Sequence, residues 1–464
     1  MSAIAVARRR SAFATRRVGG YAAAALVMGF LGWMIAAVPD SALVPATAGI
    51  ATAVAIGLTI IAARRRTLTS PLFLLGVPLL LSLAAAMQPI TRIFNEWTLP
   101  RLTEALLIVA APLMGVAAAM LLTPGRTPQL ERGTTAQPYP SRLVAACAFM
   151  FVVGTLIYVA EWWTVGGPPL LSASIDQARF GVEVGLQHVF TQGLPLALLI
   201  AMWARVGRPQ SFTAQQRRVL EAIICLTPIV LALGGGRALV LVPLLAALLV
   251  ATRYVSRQVA RRMLVVIPIG IIVFSSVVFV ARIGQNAPTG PVGTVLYSDN
   301  GAKTSPWESA YRSMSIGLGQ ELRVVAELRN GDVRTPPFTT SVWFLHNFVP
   351  RAIDPGTIAS ANAGGWITAT YAGPLLLDFG LIPALLFGLV LGAAAHAFYV
   401  RFAHGASVTT IWVYAYLAAP IAFAFYVNIF LQFLYPILDL IVLITLSRLL
   451  IKPVEPRALR SSSS

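Results

Sequence analysis

The residues with the clearest use in chemistry are arginines that stand apart from the short basic clusters of this chain. One of them ends the run Gly234-Gly235-Gly236-Arg237, which separates two apolar stretches. The glycines permit a tight turn and the close approach of a ligand to the backbone. A guanidinium stays charged and holds phosphate oxygens in pairs. We therefore expect Arg237 to bind a phosphorylated ligand, and contact with lipid headgroups is the alternative.

Three more arginines are candidates for the same site, namely Arg179, Arg312 and Arg351. Arg179 has acidic residues three positions before it and four positions after it, so a local salt bridge is the competing interpretation. Arg312 lies off the apolar stripe of an amphipathic helix that the spacing predicts over about residues 306–329. Arginines gathered above a cavity would suit a diphosphate bound at a membrane surface.

Two side chains are candidates for proton transfer. His346 lies in a long polar segment, and histidine is the side chain that most often serves as a general base. Asp378, a carboxylate inside a predicted span, is the second candidate, and a structural role is the alternative for His346. The other histidines are weaker candidates, because His188 is expected to open a helix, and His396 and His404 to lie on the cytoplasmic side.

Metal and cofactor chemistry is not indicated by any motif. No set of His, Cys or carboxylate residues has the spacing of a metal site, and no phosphate-binding glycine loop occurs in the sequence. Asp378-Phe379-Gly380 matches the metal-binding tripeptide of protein kinases, but the partner motifs are missing, so we treat the match as chance. We therefore expect neither a metal nor a cofactor.

Composition defines the class of protein in which these residues must be positioned. Hydrophobic residues make up 57% of the 464 residues, charged residues make up 11%, and the mean hydropathy is +0.77. This composition predicts a polytopic helical membrane protein. The net charge of +18 would favour nucleic acid in a soluble protein, but here the basic residues cluster in short loops between apolar runs. We therefore expect no nucleic-acid binding.

The apolar runs predict an all-α polytopic integral membrane protein with about 12 transmembrane helices. With the N-terminus inside, 24 of the 35 Lys and Arg residues lie in cytoplasmic segments, which is the bias that sets orientation, and both termini are then cytoplasmic. The candidate spans are 20–38, 42–63, 71–88, 102–122, 142–163, 188–204, 219–233, 238–252, 263–281, 372–399, 409–427 and 429–449.

One large extracytoplasmic loop is expected between helices 9 and 10. Earlier in the chain, residues 219–252 must cross the membrane twice. Each crossing then has about 17 residues, which as a helix reach only ~25 Å across a hydrocarbon core ~30 Å thick. We therefore expect the glycine turn to lie below the outer surface, with one helix more or fewer here as the alternative. The predicted order is a basic cytoplasmic N-terminus over 1–19, helices 1–9 over 20–282, the loop over 283–371, helices 10–12 over 372–450 and a cytoplasmic tail over 451–464.

Several other residues inside or beside the predicted spans are unusual. Trp162 and Trp163 end a span and predict an interfacial aromatic belt, with stacking on sugar faces as the alternative. Glu104 and Asp439 are carboxylates inside spans, where they are costly without a partner, and Tyr435 is near Asp439 in the sequence.

Four stretches between about residues 150 and 400 resemble the oligosaccharide repeat-unit polymerases, also called the O-antigen polymerase family. The related O-antigen ligases share this architecture. The front half of the chain matches only as hydrophobic spans. The four stretches are Arg179 with the glycines at 181, 185 and 193, the helix start Gly236-Arg237-Ala238-Leu239, a large late loop ending near Phe348-Val349-Pro350-Arg351, and Thr368-Ala369-Thr370-Tyr371 followed by Asp378-Phe379-Gly380-Leu381-Ile382.

The resemblance implies an inverting, metal-independent glycosyltransferase on the outer face of a bacterial cytoplasmic (inner) membrane. An acceptor hydroxyl would attack the anomeric carbon of a glycan carried on polyprenyl (undecaprenyl) diphosphate, which would lengthen a capsule, exopolysaccharide or O-antigen. Arg179 and Arg237 would hold the diphosphate, and His346, with Asp378 behind it, would act as the base. The implied partners are the polyprenyl-diphosphate-linked oligosaccharide donor and acceptor, membrane lipid, and a chain-length regulator and flippase.

Other functions stay open at this point. Ligases use a loop histidine, so His346 does not separate polymerase from ligase. A permease or lipid-linked sugar flippase would suit twelve spans with both ends inside, but permeases usually carry their long loop mid-chain on the cytoplasmic side and repeat their halves. The sequence shows no internal repeat. A structural scaffold would leave the recessed Arg237 unexplained.

Overall fold

The computed structural model describes residues 69–86, 99–122, 136–172, 186–255, 375–376, 379–404, 407–422 and 434–452. Within these ranges the chain is helical, with short 3₁₀ turns and no strand beyond one isolated bridge between Pro138 and Ile451. The α-helices of the described chain are α1 Pro71–Ala86, α2 Leu99–Leu122, α3 Pro140–Trp163, α4 Gly193–Gly207, α5 Ala214–Leu233, α6 Arg237–Thr252, α7 Leu381–Ala403, α8 Val408–Ala422 and α9 Leu434–Leu450.

Each of these helices coincides with a predicted span, because about 20 apolar residues suffice to identify one. The largest difference is at α7, which was predicted over 372–399 and begins at Leu381. Gly380 precedes it with φ +83°, a left-handed conformation that a regular helix does not contain. The predicted spans 20–38, 42–63 and 263–281 lie outside the described residues, so the total of twelve stays a prediction.

Length and surface composition indicate a membrane protein. Three helices of the described chain, over Pro140–Trp163, Gln187–Gly207 and Leu381–Ala403, are long and apolar enough to cross a membrane. Exposed apolar residues follow helical spacing on the outer faces of α3 and α7. Such continuous apolar faces are unfavourable in water but suit contact with lipid. These residues are Phe149, Val152, Leu156 and Val159 on α3, and Ile382, Leu386 and Val390 on α7.

The basic residues of the described helices gather where several helix ends meet, and we call this region the basic end. The Tyr139 amide donates to the Leu450 carbonyl at 2.8 Å, which joins the start of α3 to the end of α9. The Arg208 Nε donates to the Ala136 carbonyl at 3.1 Å, which adds the end of α4. Arg253, after α6, donates to the Phe402 carbonyl near the end of α7. Positive charge beside a C-terminal carbonyl is favourable.

Helix α4 is the centre of the bundle. Its residues Leu194 to Ala204 are almost all buried, and it packs against α3, α5, α6 and α8. Trp203 of α4 meets Trp412 of α8 edge to face at 5.5 Å, and its Nε1 donates to the Tyr254 hydroxyl at 2.9 Å. This core determines where the residues before α4 are placed, at the end of the bundle opposite the basic end.

Two glycines bring α3 and α4 unusually close together. A Cβ atom on Gly154 of α3 would lie 2.8 Å from the Leu194 Cγ, and one on Gly193 would lie 3.0 Å from the Met150 carbonyl oxygen. Small residues at helix contacts allow this approach in membrane bundles, where close packing replaces the hydrophobic driving force. The close contact places the segment 186–192 against the last turns of α3.

Helices α5 and α6 form a hairpin around the triple glycine. Helix α5 begins with a capping box, in which Thr213 and Gln216 satisfy each other's backbone amides, and it runs for 20 residues, about 30 Å. Helix α6 has 16 residues, about 24 Å. The expectation that both arms are short was therefore wrong for α5, because its helix starts before the apolar run. Pro228 lies inside α5 and Pro243 inside α6.

Candidate functional site

Most of the site residues predicted from the sequence lie outside the described part of the chain. These residues are Arg179, Arg312, His346, Arg351 and Asp378. Their assignment stays a prediction. Arg237 is the one whose backbone is described, and it is the first residue of α6.

The turn before Arg237 has the shape that its glycines predict. Gly234 ends α5, Gly235 has φ +71°, and Gly236 is the extended residue before α6. A left-handed φ at Gly235 would strain any residue with a side chain. The first amides of a helix carry partial positive charge, so Arg237 begins a helix end that favours an anion. On its own such a helix end does not define a site.

A compact cluster of buried side chains packs against the α5–α6 hairpin just below the glycine turn, on the side of the bundle interior. It consists of Tyr158 and Trp162 of α3, Leu194 of α4, Leu231 of α5 and Val240 of α6, all of them buried. The Tyr158 and Trp162 rings lie 5.3 Å apart. A Cβ on Gly234 would come within 4.0 Å of the Tyr158 Cε1, so the tyrosine ring lies directly beside the glycine turn.

Beside this cluster, Glu161 and His188 form a polar pair. The His188 Nδ1 lies 3.0 and 2.9 Å from the two Glu161 carboxylate oxygens. The Glu161 side chain is 3% exposed and the His188 side chain 20%. The His188 ring also meets the Tyr158 ring edge to face, with centroids 6.0 Å apart. The pair therefore lies one aromatic ring away from the glycine turn, at the end of the bundle opposite the basic end.

The backbone on both sides of the pair is fixed by neighbouring threonines. The Thr164 Oγ1 donates to the Glu161 carbonyl at 2.6 Å, and the Thr191 Oγ1 donates to the His188 carbonyl at 2.6 Å. Gly166 and Gly167 follow α3 with φ +84° and +138°, and the Gly167 amide donates to the Trp162 carbonyl at 2.9 Å. Both members of the pair are thus held by local geometry as well as by each other.

Sequence reasoning did not find this pair, although one signal was present. Glu161 is a carboxylate in the last turn of an apolar helix, and such a residue is costly without a partner. The partner is 27 residues away, which no local pattern connects. His188 was expected to open a helix, and it does lie in the 3₁₀ turn that leads into α4.

The tryptophan pair divides into two environments. Trp162 is 5% exposed and belongs to the cluster below the turn, so it is neither in an interfacial belt nor open to a sugar. Trp163 is 84% exposed at the end of α3, where a belt residue is expected. The prediction for the pair was therefore wrong for Trp162, because the two side chains point to different faces of the helix.

A second buried carboxylate connects two helices elsewhere in the bundle. Asp439 of α9 is 3% exposed and accepts a hydrogen bond from the Tyr416 hydroxyl of α8. Nearby, the Thr409 and Ser447 hydroxyls lie 2.6 Å apart. These bonds join α8 to α9, so we assign Asp439 a structural role.

Among the described residues, no group of three or more His, Cys, Asp or Glu side chains could hold a metal.

No protein-family model, curated protein or solved structure matches this chain. Any functional proposal must therefore rest on the arrangement of the chain's own residues.

Proposed function

We propose that this chain is a membrane glycosyltransferase that polymerises polyprenyl-diphosphate-linked oligosaccharide repeat units into a surface polysaccharide, on the extracytoplasmic side of a bacterial inner membrane. One observation carries the proposal. Arg237 opens α6 directly after a glycine turn, and that turn lies beside the buried Glu161–His188 pair at the end opposite the basic residues. The juxtaposition places a residue suited to a leaving diphosphate and a buried polar pair at the same end of the bundle.

The distribution of charge supports the proposed side of the membrane. Short basic segments mark the cytoplasmic ends of spans, and the basic end joins such segments from α3, α4, α6 and α9. On this reasoning the glycine turn faces outward. An arginine there departs from the usual charge bias, and a phosphorylated ligand supplies the missing counter-charge.

The expected chemistry is displacement at the anomeric carbon by the hydroxyl of the acceptor. The diphosphate leaves with the bonding electron pair, and fixed cations stabilise its developing charge, so no acid is needed at the leaving oxygen. Arg179, Arg312 and Arg351 are the further cations proposed for this role. His346 and Asp378 are the bases proposed from the sequence.

A genetic experiment tests this function. Cells lacking the protein are rescued with the wild type, Arg237→Ala, Arg237→Lys or the control Arg401→Ala, and the sizes of their lipid-linked glycans are measured. Arg401 lies exposed in the last turn of α7, at the basic end. We expect single repeat units in the deletion and in Arg237→Ala, a partial defect in Arg237→Lys because lysine lacks the planar fork, and a normal profile in the control.

Other outcomes identify other functions. Long lipid-linked polymer that accumulates in the deletion indicates a ligase. Repeat units trapped on the cytoplasmic side indicate a flippase. A glycan profile unchanged by the deletion refutes any role in glycan assembly.

A further inference from the structure

The Glu161–His188 pair has the geometry of an oriented base. Both carboxylate oxygens of Glu161 lie within 3.0 Å of the His188 Nδ1. An ionised carboxylate only accepts hydrogen bonds, so the proton of a neutral imidazole must be on Nδ1. Nε2 then carries the lone pair. The carboxylate thus determines both the ring orientation and the nitrogen that can accept a proton.

We propose that the His188 Nε2 is the general base that deprotonates the acceptor hydroxyl, with Glu161 as its positioning residue. This inference rests on the proposed function and replaces His346 in that role. The acceptor oxygen bonds to the anomeric carbon, the bond from that carbon to the diphosphate oxygen breaks, and its electron pair leaves with the diphosphate. The hydroxyl proton moves to Nε2, and the imidazolium returns it to water after the product departs.

The surroundings of the pair favour this role. His188 lies one tyrosine ring from the glycine turn that precedes Arg237, so a base and a diphosphate-binding residue are placed at the same end of the bundle. The His188 side chain retains 20% exposure, while Glu161 behind it is sealed at 3%. The imidazole is therefore the more accessible member of the pair.

A purely structural pair is the competing explanation. It is a weak one on energetic grounds, because well-packed apolar residues often stabilise a buried position as well as an ion pair does. The pair differs from the buried Asp439–Tyr416 contact in its position, because it lies beside the glycine turn and its imidazole is partly exposed, and this position favours a role in the reaction. The experiment must therefore separate proton transfer from packing.

The assay uses the purified full chain in nanodiscs, and the substrate is the lipid-linked oligosaccharide extracted from cells that lack the protein. His188→Gln keeps a donor for the Glu161 carboxylate but removes the base. We expect transfer to fall by about 10²–10⁴-fold, with retention of the lipid-linked substrate unchanged. The matched control is His404→Gln, at the exposed end of α7, for which we expect the wild-type rate.

Two further variants distinguish chemistry from structure. Adding imidazole should restore transfer by His188→Ala, because a soluble base can occupy the vacated space. Glu161→Gln keeps a hydrogen-bonding partner of the same size but can donate to Nδ1, which moves the ring proton to Nε2. We expect at least about a tenfold loss in Glu161→Gln, and none in the control Glu221→Gln, whose exposed carboxylate pairs with Arg205 at 2.6 Å.

The outcomes separate the two proposals. If the wild type extends the lipid-linked units, Arg237→Ala does not, and His188→Gln works at the wild-type rate, the base assignment is wrong and the function stands. If the His188 variants do not fold, a normal rate in a folded Glu161→Gln protein overturns the assignment in the same way. A wild-type protein that extends no units refutes the function and the base assignment together.

Discussion

Removing His188 should destabilise the protein more than breaking the exposed ion pair, although the exposed pair is the shorter of the two. The Arg205–Glu221 contact is 2.6 Å and the His188–Glu161 contact 2.9 Å. The Arg205 and Glu221 side chains are 38% and 47% exposed, whereas Glu161 is 3% exposed. Water can solvate the exposed partners after the pair is broken, but it cannot reach Glu161.

The magnitudes follow from this difference in burial. His188→Ala leaves a buried carboxylate without its partner, a change that costs about 3–5 kcal/mol when burial is complete. Because His188 is a fifth exposed, we expect the lower value, about 3 kcal/mol. Arg205→Ala should cost no more than about 1 kcal/mol. In a Glu161→Gln background the cost of His188→Ala should fall to about 1 kcal/mol, because a neutral amide has less need of a partner.

The assay is equilibrium unfolding of the purified protein in mixed micelles with increasing denaturing detergent, followed by tryptophan fluorescence. The double-mutant cycle of Glu161→Gln with His188→Ala should give a coupling energy of about 2 kcal/mol, and that of Glu221→Gln with Arg205→Ala less than about 1 kcal/mol. Equal costs of His188→Ala in both backgrounds, or a larger coupling for the exposed pair, would refute the reasoning from burial.

Three other predictions concern packing, capping and the two ends of the bundle. Gly154→Ala should destabilise the bundle by about 1–3 kcal/mol in the same unfolding assay, because the added methyl must displace a leucine of α4 whose Cγ lies 2.8 Å away; an unchanged midpoint would contradict the close packing. Thr213→Ala should cost about 1 kcal/mol through loss of the capping box, while Thr213→Ser should retain most of it. Single cysteines introduced at Trp163 and Lys452 should react with an impermeant thiol reagent from opposite sides of the membrane, and labelling of both from one side would exclude the proposed orientation.

Hydropathy was sufficient to locate the helices of the described residues but not their ends. Apolar runs predicted each described helix, because a lipid environment requires long apolar stretches. Local backbone preferences then determined the boundaries. Gly380 adopts φ +83° and delays the start of α7, and Thr213 begins α5 ahead of the apolar run. These signals are local in the sequence, yet only the structure shows which of several possible breaks is used.

The candidate site was predicted only in part. The glycine turn before Arg237 was identified correctly, because three consecutive glycines leave few alternatives to a turn. The Glu161–His188 pair was missed, because it depends on how closely α3 and α4 approach each other. Gly154 of α3 and Gly193 of α4 allow this approach, because each lies directly against the opposite helix. Such a contact depends on packing and cannot be read from the periodicity of either helix.

The prolines in the α5–α6 hairpin affect how easily its tip can move. Pro228 and Pro243 each lack an amide hydrogen, so one carbonyl in each arm loses its helical hydrogen-bond partner. Both positions lie nearer to the glycine turn than to the basic end. Between these two points and the tip, Leu231 and Val240 are buried against α3 and α4, so side-chain packing compensates for the missing hydrogen bonds and holds the tip in place. The position of the hairpin tip therefore depends on its contacts with α3 and α4 as well as on the helical hydrogen bonds of its own two arms.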